Sequence, residues 1–267
     1  MQTPTMLDSH PVDARTTVLT SLLPVAGAGL LPVNAALVRA EQPLLLDTGL
    51  GALREGFLAA LEALIDPADL RWIWITHADA DHVGNLAAVL ERAPGARVVT
   101  NFLGLGKLGL AGLPTDRFLL LNPGQTLDLG DRRLTALRPP VYDAPETMAA
   151  FDPDGRILFS ADSCGALLER PVVRAGDLGD DELRAGLLGW SRVDAPWLAD
   201  IDRRRFAANL DAVRTLGAEH LVGGHLPPAT GLTDRILRHL ADAPDHDDFV
   251  GPDQAAFEAM MAASAAG

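Results

Sequence analysis

An apolar run that leads directly into a cluster of charged residues restricts the fold of this chain more than any other feature. Residues 71–76 read Arg-Trp-Ile-Trp-Ile-Thr, and this mixture of aromatic and β-branched side chains predicts a strand that is covered on both faces. Four potential metal ligands follow within six positions, namely His77, Asp79, Asp81 and His82. Loops held at strand ends commonly present metals and catalytic groups. The segment therefore predicts a metal or catalytic site at the end of a buried strand.

Two β-rich blocks, each followed by helices, organise the rest of the chain. The first block is predicted as short antiparallel strands between 17 and 46, and the second as short strands between 118 and 160. Two further strands are predicted at 97–100 and 221–222. The spacing of apolar residues predicts helices over 53–65, 85–92, 181–188, 203–216, 233–240 and 254–263. Two sheets packed together with helices outside them give an α/β fold of four layers, αββα. Because no linker divides the chain, we expect a single domain over 1–267.

The charge balance disfavours two classes of partner. The chain carries 36 acidic and 22 basic side chains, a formal charge of −14. Nucleic-acid binding draws most of its affinity from Lys and Arg that neutralise phosphates, so we expect no nucleic-acid partner and no basic membrane-binding patch. The apolar stretch 17–38 is interrupted by prolines and glycines, which predicts strands and a turn instead of a signal peptide or a membrane span. Cys164 is the only cysteine, so no internal disulfide can form and we expect a cytoplasmic protein.

Three later positions could complete a metal site with the 77–82 segment. Asp162 ends the apolar run 157–162, and His225 ends the run 221–225 in the same way. Asp143 lies in a rigid turn between prolines. A packed core alone does not require that apolar segments end in ligand-type residues. Imidazole and carboxylate together suit Zn, Mn or Fe, and the carboxylate-rich mixture favours the harder metals.

Each of these positions also has an interpretation without a metal. The 77–82 segment could be a solvated acidic loop in which an aspartate caps a helix. Asp162 could be a turn residue, and His225 a polar residue with satisfied hydrogen bonds beside a glycine-rich turn. For Asp143, a turn stabilised by its own side chain explains the sequence as well as metal binding does.

With these residues in place, the sequence resembles the metallo-β-lactamase superfamily over most of its length. The segment Leu46-Asp47-Thr-Gly49, the 77–82 segment, the 158–162 strand end and Gly224-His225 occur in that family's order and approximate spacing. The usual hydrolase motif of the family is His-x-His-x-Asp-His, and here its second histidine is replaced by Asp79.

That replacement makes the sequence similar to one branch of the family, the flavodiiron and oxygen-binding di-iron proteins. Their motif is normally His-x-Glu-x-Asp-His, and a further histidine of the branch has Asp143 in its place here. The resemblance implies two divalent metal ions, iron first, with zinc or manganese as alternatives. It implies that His77, Asp79, Asp143 and Asp162 bind one ion, and that Asp81, His82, Asp162 and His225 bind the other. Asp162 would bridge the ions, Asp81 and Asp162 would serve catalysis, and Asp47 would orient a ligand loop.

Three functions are open at this stage. The resemblance implies a di-iron oxidoreductase that reacts with dioxygen or a related small oxidant. Flavodiiron proteins carry a flavodoxin domain after the metal domain, whereas this sequence ends at Gly267 without one, so we expect an external electron donor. The first alternative is a metal-dependent hydrolase that attacks an ester, thioester, lactone or phosphodiester with a metal-bridging hydroxide. The second is a metal-free scaffold descendant. Related proteins of the branch often form homodimers.

Two other features resemble functional motifs. Residues 104–109 match the glycine spacing of a dinucleotide-binding turn, but the glycine and proline that follow argue against the helix such a site needs. We predict a flexible loop near the mouth of the site there, and pocket walls from the segments 103–117 and 163–200. Cys164 could be a redox thiol or a ligand, although a small buried residue is the commoner explanation.

Overall fold

The computed structural model describes residues 3–247 and 249–265. Within them the chain forms two β-sheets and eight α-helices, joined by turns and short 3₁₀ helices. The strands are β1 (Thr5–Met6), β2 (His10–Pro11), β3 (Thr16–Val25), β4 (Gly29–Val38), β5 (Leu44–Leu46), β6 (Trp72–Trp74), β7 (Arg97–Thr100), β8 (Phe118–Leu120), β9 (Thr126–Asp128), β10 (Arg133–Leu137), β11 (Ala149–Asp152), β12 (Ile157–Phe159), β13 (His220–Val222) and β14 (Ala229–Thr230).

Helices connect and follow the strands, and most of them lie where the sequence predicts a helix. The α-helices are α1 (Arg54–Glu62), α2 (Ala80–Val83), α3 (Leu86–Arg92), α4 (Phe102–Leu110), α5 (Asp180–Asp194), α6 (Arg203–Thr215), α7 (Thr233–Leu240) and α8 (Gln254–Ala265). The 3₁₀ helices span Gly51–Leu53, Pro67–Asp69, Ala175–Asp177, Pro196–Asp200 and Ala243–Asp245. Asn101 caps α4 and Asp202 caps α6, since each side-chain oxygen accepts two backbone N–H groups of the first helical turn.

Each half of the chain builds one sheet. In the described residues the first sheet has the order β1-β3-β4-β5-β6-β7-β8, with β2 beside β3, and the second has the order β14-β13-β12-β11-β10-β9. Strands β3, β4 and β5 pair antiparallel, as expected, whereas β5 to β8 pair parallel. In the second sheet β12 and β13 are parallel. Parallel neighbours end at the same edge of a sheet, so residues that follow β5 and β6, or β12 and β13, emerge side by side.

Alternation along the strands divides the apolar side chains between an inner and an outer layer. In β5, Leu44 and Leu46 join the cluster between the two sheets, while Leu45 joins the cluster beneath α1, α3 and α4. In β12, Ile157 and Phe159 face the first sheet, and Leu158 packs with α5, α6 and α7. The layers are therefore helix, sheet, sheet, helix. The predicted four-layer αββα arrangement is confirmed.

Two local predictions were wrong. The predicted flexible loop at 104–109 lies within α4, whose first turn is capped by Asn101 and whose Leu108 is buried in the core. A Cβ at Gly104 would lie 2.2 Å from Thr100 Oγ1, so close packing requires this glycine. The other error concerns length, because the helix predicted at 181–188 extends from Asp180 to Asp194.

The described residues contain no helix that is both long and apolar enough to cross a membrane.

Candidate metal centre

A histidine or aspartate that could bind a metal occupies the third position after each of three strands. His77 is the third residue after β6, Asp162 the third after β12 and His225 the third after β13. Asp47 directly follows β5, the parallel neighbour of β6. The short helix α2 begins after Asp79 and carries Asp81 and His82 on its single turn. The two sheets therefore bring their ligand-type residues together at one end of the sandwich.

The Asp162 carboxylate lies at the middle of this group. Its Oδ2 is 3.3 Å from His77 Nε2 and 3.3 Å from His225 Nε2, and its Oδ1 is 3.1 Å from His82 Nε2. Asp81 Oδ2 is 3.4 Å from His225 Nε2 and 3.7 Å from His82 Nε2. Asp162 thus faces all three imidazoles, which have at most 1% exposed side-chain surface.

All seven predicted ligand residues fall into overlapping groups. In each group, one ligand atom per residue lies within 4.8 Å of the others. The groups are His77, Asp79 and Asp143; His77, His82 and Asp162; and Asp81, His82 and His225. The first and the last of these groups correspond to the two ion sites implied by the resemblance, and Asp162 lies between them. Asp79 and Asp143 are exposed, so the centre opens to solvent on their side.

Orphaned polar atoms show that a cation fits this centre. His77 Nε2, His82 Nε2 and Asp162 Oδ1 are buried, and none makes a hydrogen bond of normal geometry to the described residues. A buried polar atom without a partner costs about 1–3 kcal/mol. A metal ion between these lone pairs would supply the missing interaction, and imidazole with carboxylate is a donor set that divalent transition metals accept.

Hydrogen bonds on the far side of the imidazoles orient two of them. His82 Nδ1 lies 2.9 Å from Asp47 Oδ2, and His225 Nδ1–H donates to the Pro32 carbonyl at 2.8 Å. With the protons on Nδ1, the Nε2 lone pairs point into the centre, as metal ligation requires. Asp47 also accepts from the Thr76 backbone N–H and hydroxyl, both at 2.8 Å, which fixes the start of the ligand loop. This is the orienting role that the resemblance implies for Asp47.

The His225 loop is tied to the first sheet by hydrogen bonds of β4. Asn34 Nδ2 donates to the carbonyls of Gly223 and Leu226, at 2.8 and 2.7 Å, and the Asn34 backbone N–H donates to the Gly224 carbonyl at 2.9 Å. Gly224 leaves room for the Asp162 and His82 side chains, because a Cβ there would lie 2.7 Å from Asp162 Oδ1 and 2.8 Å from His82 Cε1. The loop can hold its position only with glycine at 224.

Charges within the centre shift the pKa values of its groups in opposite directions. Burial lowers the pKa of His82, but the Asp162 and Asp47 carboxylates raise it more, so that it stands well above its usual value. Burial raises the pKa of Asp162, but the three histidines hold it well below its usual value. Asp162 is therefore a carboxylate at neutral pH, the form that binds a cation.

Asp194 is a further carboxyl at the centre that the sequence did not indicate. It is the last residue of α5, its Oδ2 is buried without a hydrogen-bond partner among the described residues, and it groups with Asp143 and Asp162. Burial, together with the Asp162 and Asp143 charges, raises the pKa of Asp194 to about 8. The helix was expected to end at residue 188, and a lone aspartate beyond a helix carries no recognisable motif.

Cys164 is not a reactive thiol in this fold. Its side chain is buried, and burial raises its pKa to about 12. The thiolate is the nucleophile and the metal ligand, and it is scarce at neutral pH at such a pKa. The interpretation as a small buried residue fits this structure.

A family model and several curated proteins match this chain. A model of the metallo-beta-lactamase superfamily matches residues 28–225. The nitric oxide reductase of Moorella thermoacetica is 27% identical over 156 residues, which cover 58% of this chain and 38% of that protein. The anaerobic nitric oxide reductase flavorubredoxin of Aliivibrio salmonicida is 31% identical over 134 residues, which cover 49% of this chain and 27% of that protein. The chain therefore matches less than half the length of these curated relatives.

Solved structures of flavodiiron proteins share the fold. The rubredoxin oxygen:oxidoreductase of Desulfovibrio gigas aligns with a TM-score of 0.75 at 19% identity, over 89% of this chain and 61% of that one. The flavodiiron protein of Giardia intestinalis aligns with a TM-score of 0.75 at 16% identity, over 90% of this chain and 59% of that one. At this level of identity the likeness establishes the fold.

Proposed function

The chain belongs to the metallo-β-lactamase superfamily, as its motifs indicate, and from this premise we propose that it is a di-iron protein that reacts with dioxygen or nitric oxide. The observation that carries the proposal is the donor set at the centre. Four aspartates and three histidines converge there, with Asp162 between the two groups. So many carboxylates favour a harder metal than zinc, and iron, unlike zinc, is redox-active.

Two groups of residues would each hold one of the two metal ions. His77, Asp79 and Asp143 would hold one ion, Asp81, His82 and His225 the other, and Asp162 both. Asp47 and the Pro32 carbonyl keep His82 and His225 in the tautomer that ligates. On one side the Trp190 ring packs against the His225 ring, with the ring centroids 4.5 Å apart and the ring planes tilted by 55°.

Bound iron would supply one-electron redox chemistry toward dioxygen or nitric oxide. Conversion of dioxygen to water consumes four electrons and four protons, and coupling of two nitric oxide molecules to nitrous oxide and water consumes two of each. We propose that a separate redox protein or domain supplies the electrons. The names of the relatives, nitric oxide reductase and rubredoxin oxygen:oxidoreductase, support this class of reaction.

The experiment begins with metal analysis of protein purified without added metal or chelator. We expect about two irons per chain, and we expect the iron-loaded, reduced protein to consume dioxygen or nitric oxide in an electrode assay. Asp162→Ala should lose iron and activity, whereas Asp200→Asn, an exposed carboxylate on a neighbouring 3₁₀ helix, should keep both. A fully iron-loaded, reduced sample that consumes neither gas would refute the proposal.

A hydrolase is the second candidate, because a carboxylate that faces two ligand groups also suits a two-metal hydrolytic site. Hydrolysis of an ester, thioester, lactone or phosphodiester should then proceed without oxygen in the zinc or manganese form. An Asp162→Ala variant with full hydrolytic activity would exclude this candidate. Absence of any metal binding, even after reconstitution, would favour the scaffold descendant over both.

A further inference from the structure

One face of α5 is directed at the metal centre. Trp190 Nε1 donates to the Asp162 carbonyl at 3.1 Å, and the Trp190 ring packs against His225. Asp194 lies four residues later, so it shares this face one helical turn further on. Trp190 therefore fixes α5 against the backbone of Asp162. This contact places Asp194, one turn later on the same face, beside the centre.

The Asp194 carboxylate lies among ligand-type residues on one side of the centre. It offers an oxygen within 4.8 Å of oxygens of Asp143 and Asp162, and Asp143 belongs in turn to the group of His77 and Asp79. Its Oδ2 is buried without a hydrogen-bond partner in the described part of the chain. The fully buried His77 Nε2, which also lacks a hydrogen bond, lies 3.3 Å from Asp162. Two residues on different elements, each with an unsatisfied buried atom, thus lie next to the Asp162 carboxylate.

Two general effects make this position unfavourable without a cation. Three carboxylates so close together repel one another, and the repulsion is strong where burial reduces the screening by water. Asp194 is also the last residue of α5, and the negative end of the helix dipole disfavours an acidic side chain there. A metal ion bound nearby would remove both penalties.

We propose that Asp194 is a further carboxylate ligand of the ion held by His77, Asp79 and Asp143. This inference rests on the proposed metal centre, but it does not depend on which gas or substrate reacts there. The additional ligand gives this ion a donor set of one histidine and four carboxylates, counting Asp162. This donor set favours Fe or Mn over Zn more strongly than the same set without Asp194 would.

The test compares the wild-type chain with Asp194→Asn and with the exposed control Asp200→Asn. Asparagine keeps the size of the side chain and removes its charge. Metal-free protein is titrated anaerobically with Fe(II), and separately with Mn(II), against a competing chelator. We expect one of the two sites to bind about 10- to 100-fold more weakly in Asp194→Asn, with the other site unchanged and the control like wild type. In a parallel titration with Zn(II), we expect the substitution to weaken binding less than it does for Mn(II).

Melting curves of the same proteins separate ligation from a purely structural role. A ligand should make the metal-induced rise in melting temperature smaller in Asp194→Asn, while the metal-free variant melts no lower than metal-free wild type. Equal metal affinity in wild type and Asp194→Asn would overturn the inference, and so would a wild-type chain that binds no metal. Weakened metal binding in a chain that consumes neither gas would support the ligand and refute the proposed function.

Discussion

The substitution Asp47→Asn tests whether the centre depends on the orientation of His82. Asp47 is 4% exposed and accepts three hydrogen bonds, two from Thr76 and one from His82 Nδ1. Asparagine has nearly the same shape, and it tolerates the backbone of Asp47, whose φ is +55°, better than most residues do. The change therefore alters the hydrogen bonding and leaves the backbone in place.

The magnitude follows from the partners that the introduced asparagine can satisfy. Its oxygen can still accept from the Thr76 N–H, but its NH₂ group then lies where Asp47 Oδ2 accepts from the Thr76 hydroxyl and from His82. If His82 keeps its proton on Nδ1, a fully buried donor faces another donor, at a cost of about 1–3 kcal/mol. If the proton moves to Nε2, that cost is avoided, but His82 can no longer ligate through Nε2. Either stability or metal binding must therefore decrease.

We expect metal affinity about 10- to 100-fold weaker. If the proton stays on Nδ1, we expect the metal-free protein to lose about 2 kcal/mol of folding stability, which corresponds to a decrease of about 4 °C in melting temperature for a chain of this size. Chelator competition measures the first quantity, and calorimetry in excess chelator measures the second. Asp69→Asn, an exposed carboxylate in a 3₁₀ helix, serves as the control and should change neither. Unchanged affinity together with unchanged stability would refute the reasoning.

Three further outcomes follow from the same geometry. Because the pKa of His82 is raised in the fold, its protonation stabilises the metal-free protein fully below about pH 6.5, and this stabilisation is lost as the pH rises through the pKa of His82 in the folded state. Asp194 acts in the same direction, because the fold favours its protonated form. The denaturation midpoint should therefore be lower at pH 9 than at pH 6, and an equal or higher midpoint at pH 9 would contradict this. Gly224→Ala should abolish tight binding at one or both metal sites, whereas Gly106→Ala, where a Cβ meets no atom within 4 Å, should bind like wild type. Cys164 should react with a maleimide at pH 8 only after unfolding, and fast labelling of the folded chain would show that it is accessible.

The sequence predicted the residues that lie at strand ends, because each occupies a recognisable place in a pattern. An apolar run that ends in a histidine or aspartate predicts a strand with a ligand-type residue at its end, and the structure places His77, Asp162 and His225 each three residues after a strand. Parallel pairing then determines that neighbouring strand ends emerge together, so the layers and the edge that carries the centre follow from the same pattern.

Tertiary contacts determined what the sequence did not predict. Three glycines in α4 argue against a helix, but the Asn101 cap and the packing of Leu108 in the core outweigh their low helix propensity. Asp194 was missed for a different reason. Its position at the centre depends on the packing of α5, in which Trp190 contacts Asp162, 28 residues away, and local periodicity contains no information on such a contact.

The hydrogen bonds between β4 and the His225 loop affect how quickly a metal ion is bound. Pro32 and Asn34 hold this loop by hydrogen bonds to the protein alone, so His225 is already oriented before an ion arrives. Little ordering entropy is then lost when the ion binds. On the opposite side, the proposed ligands Asp79 and Asp143 are exposed. An incoming ion should therefore be captured first on the rigid side, and the exposed carboxylates should determine how quickly the second ion enters and leaves.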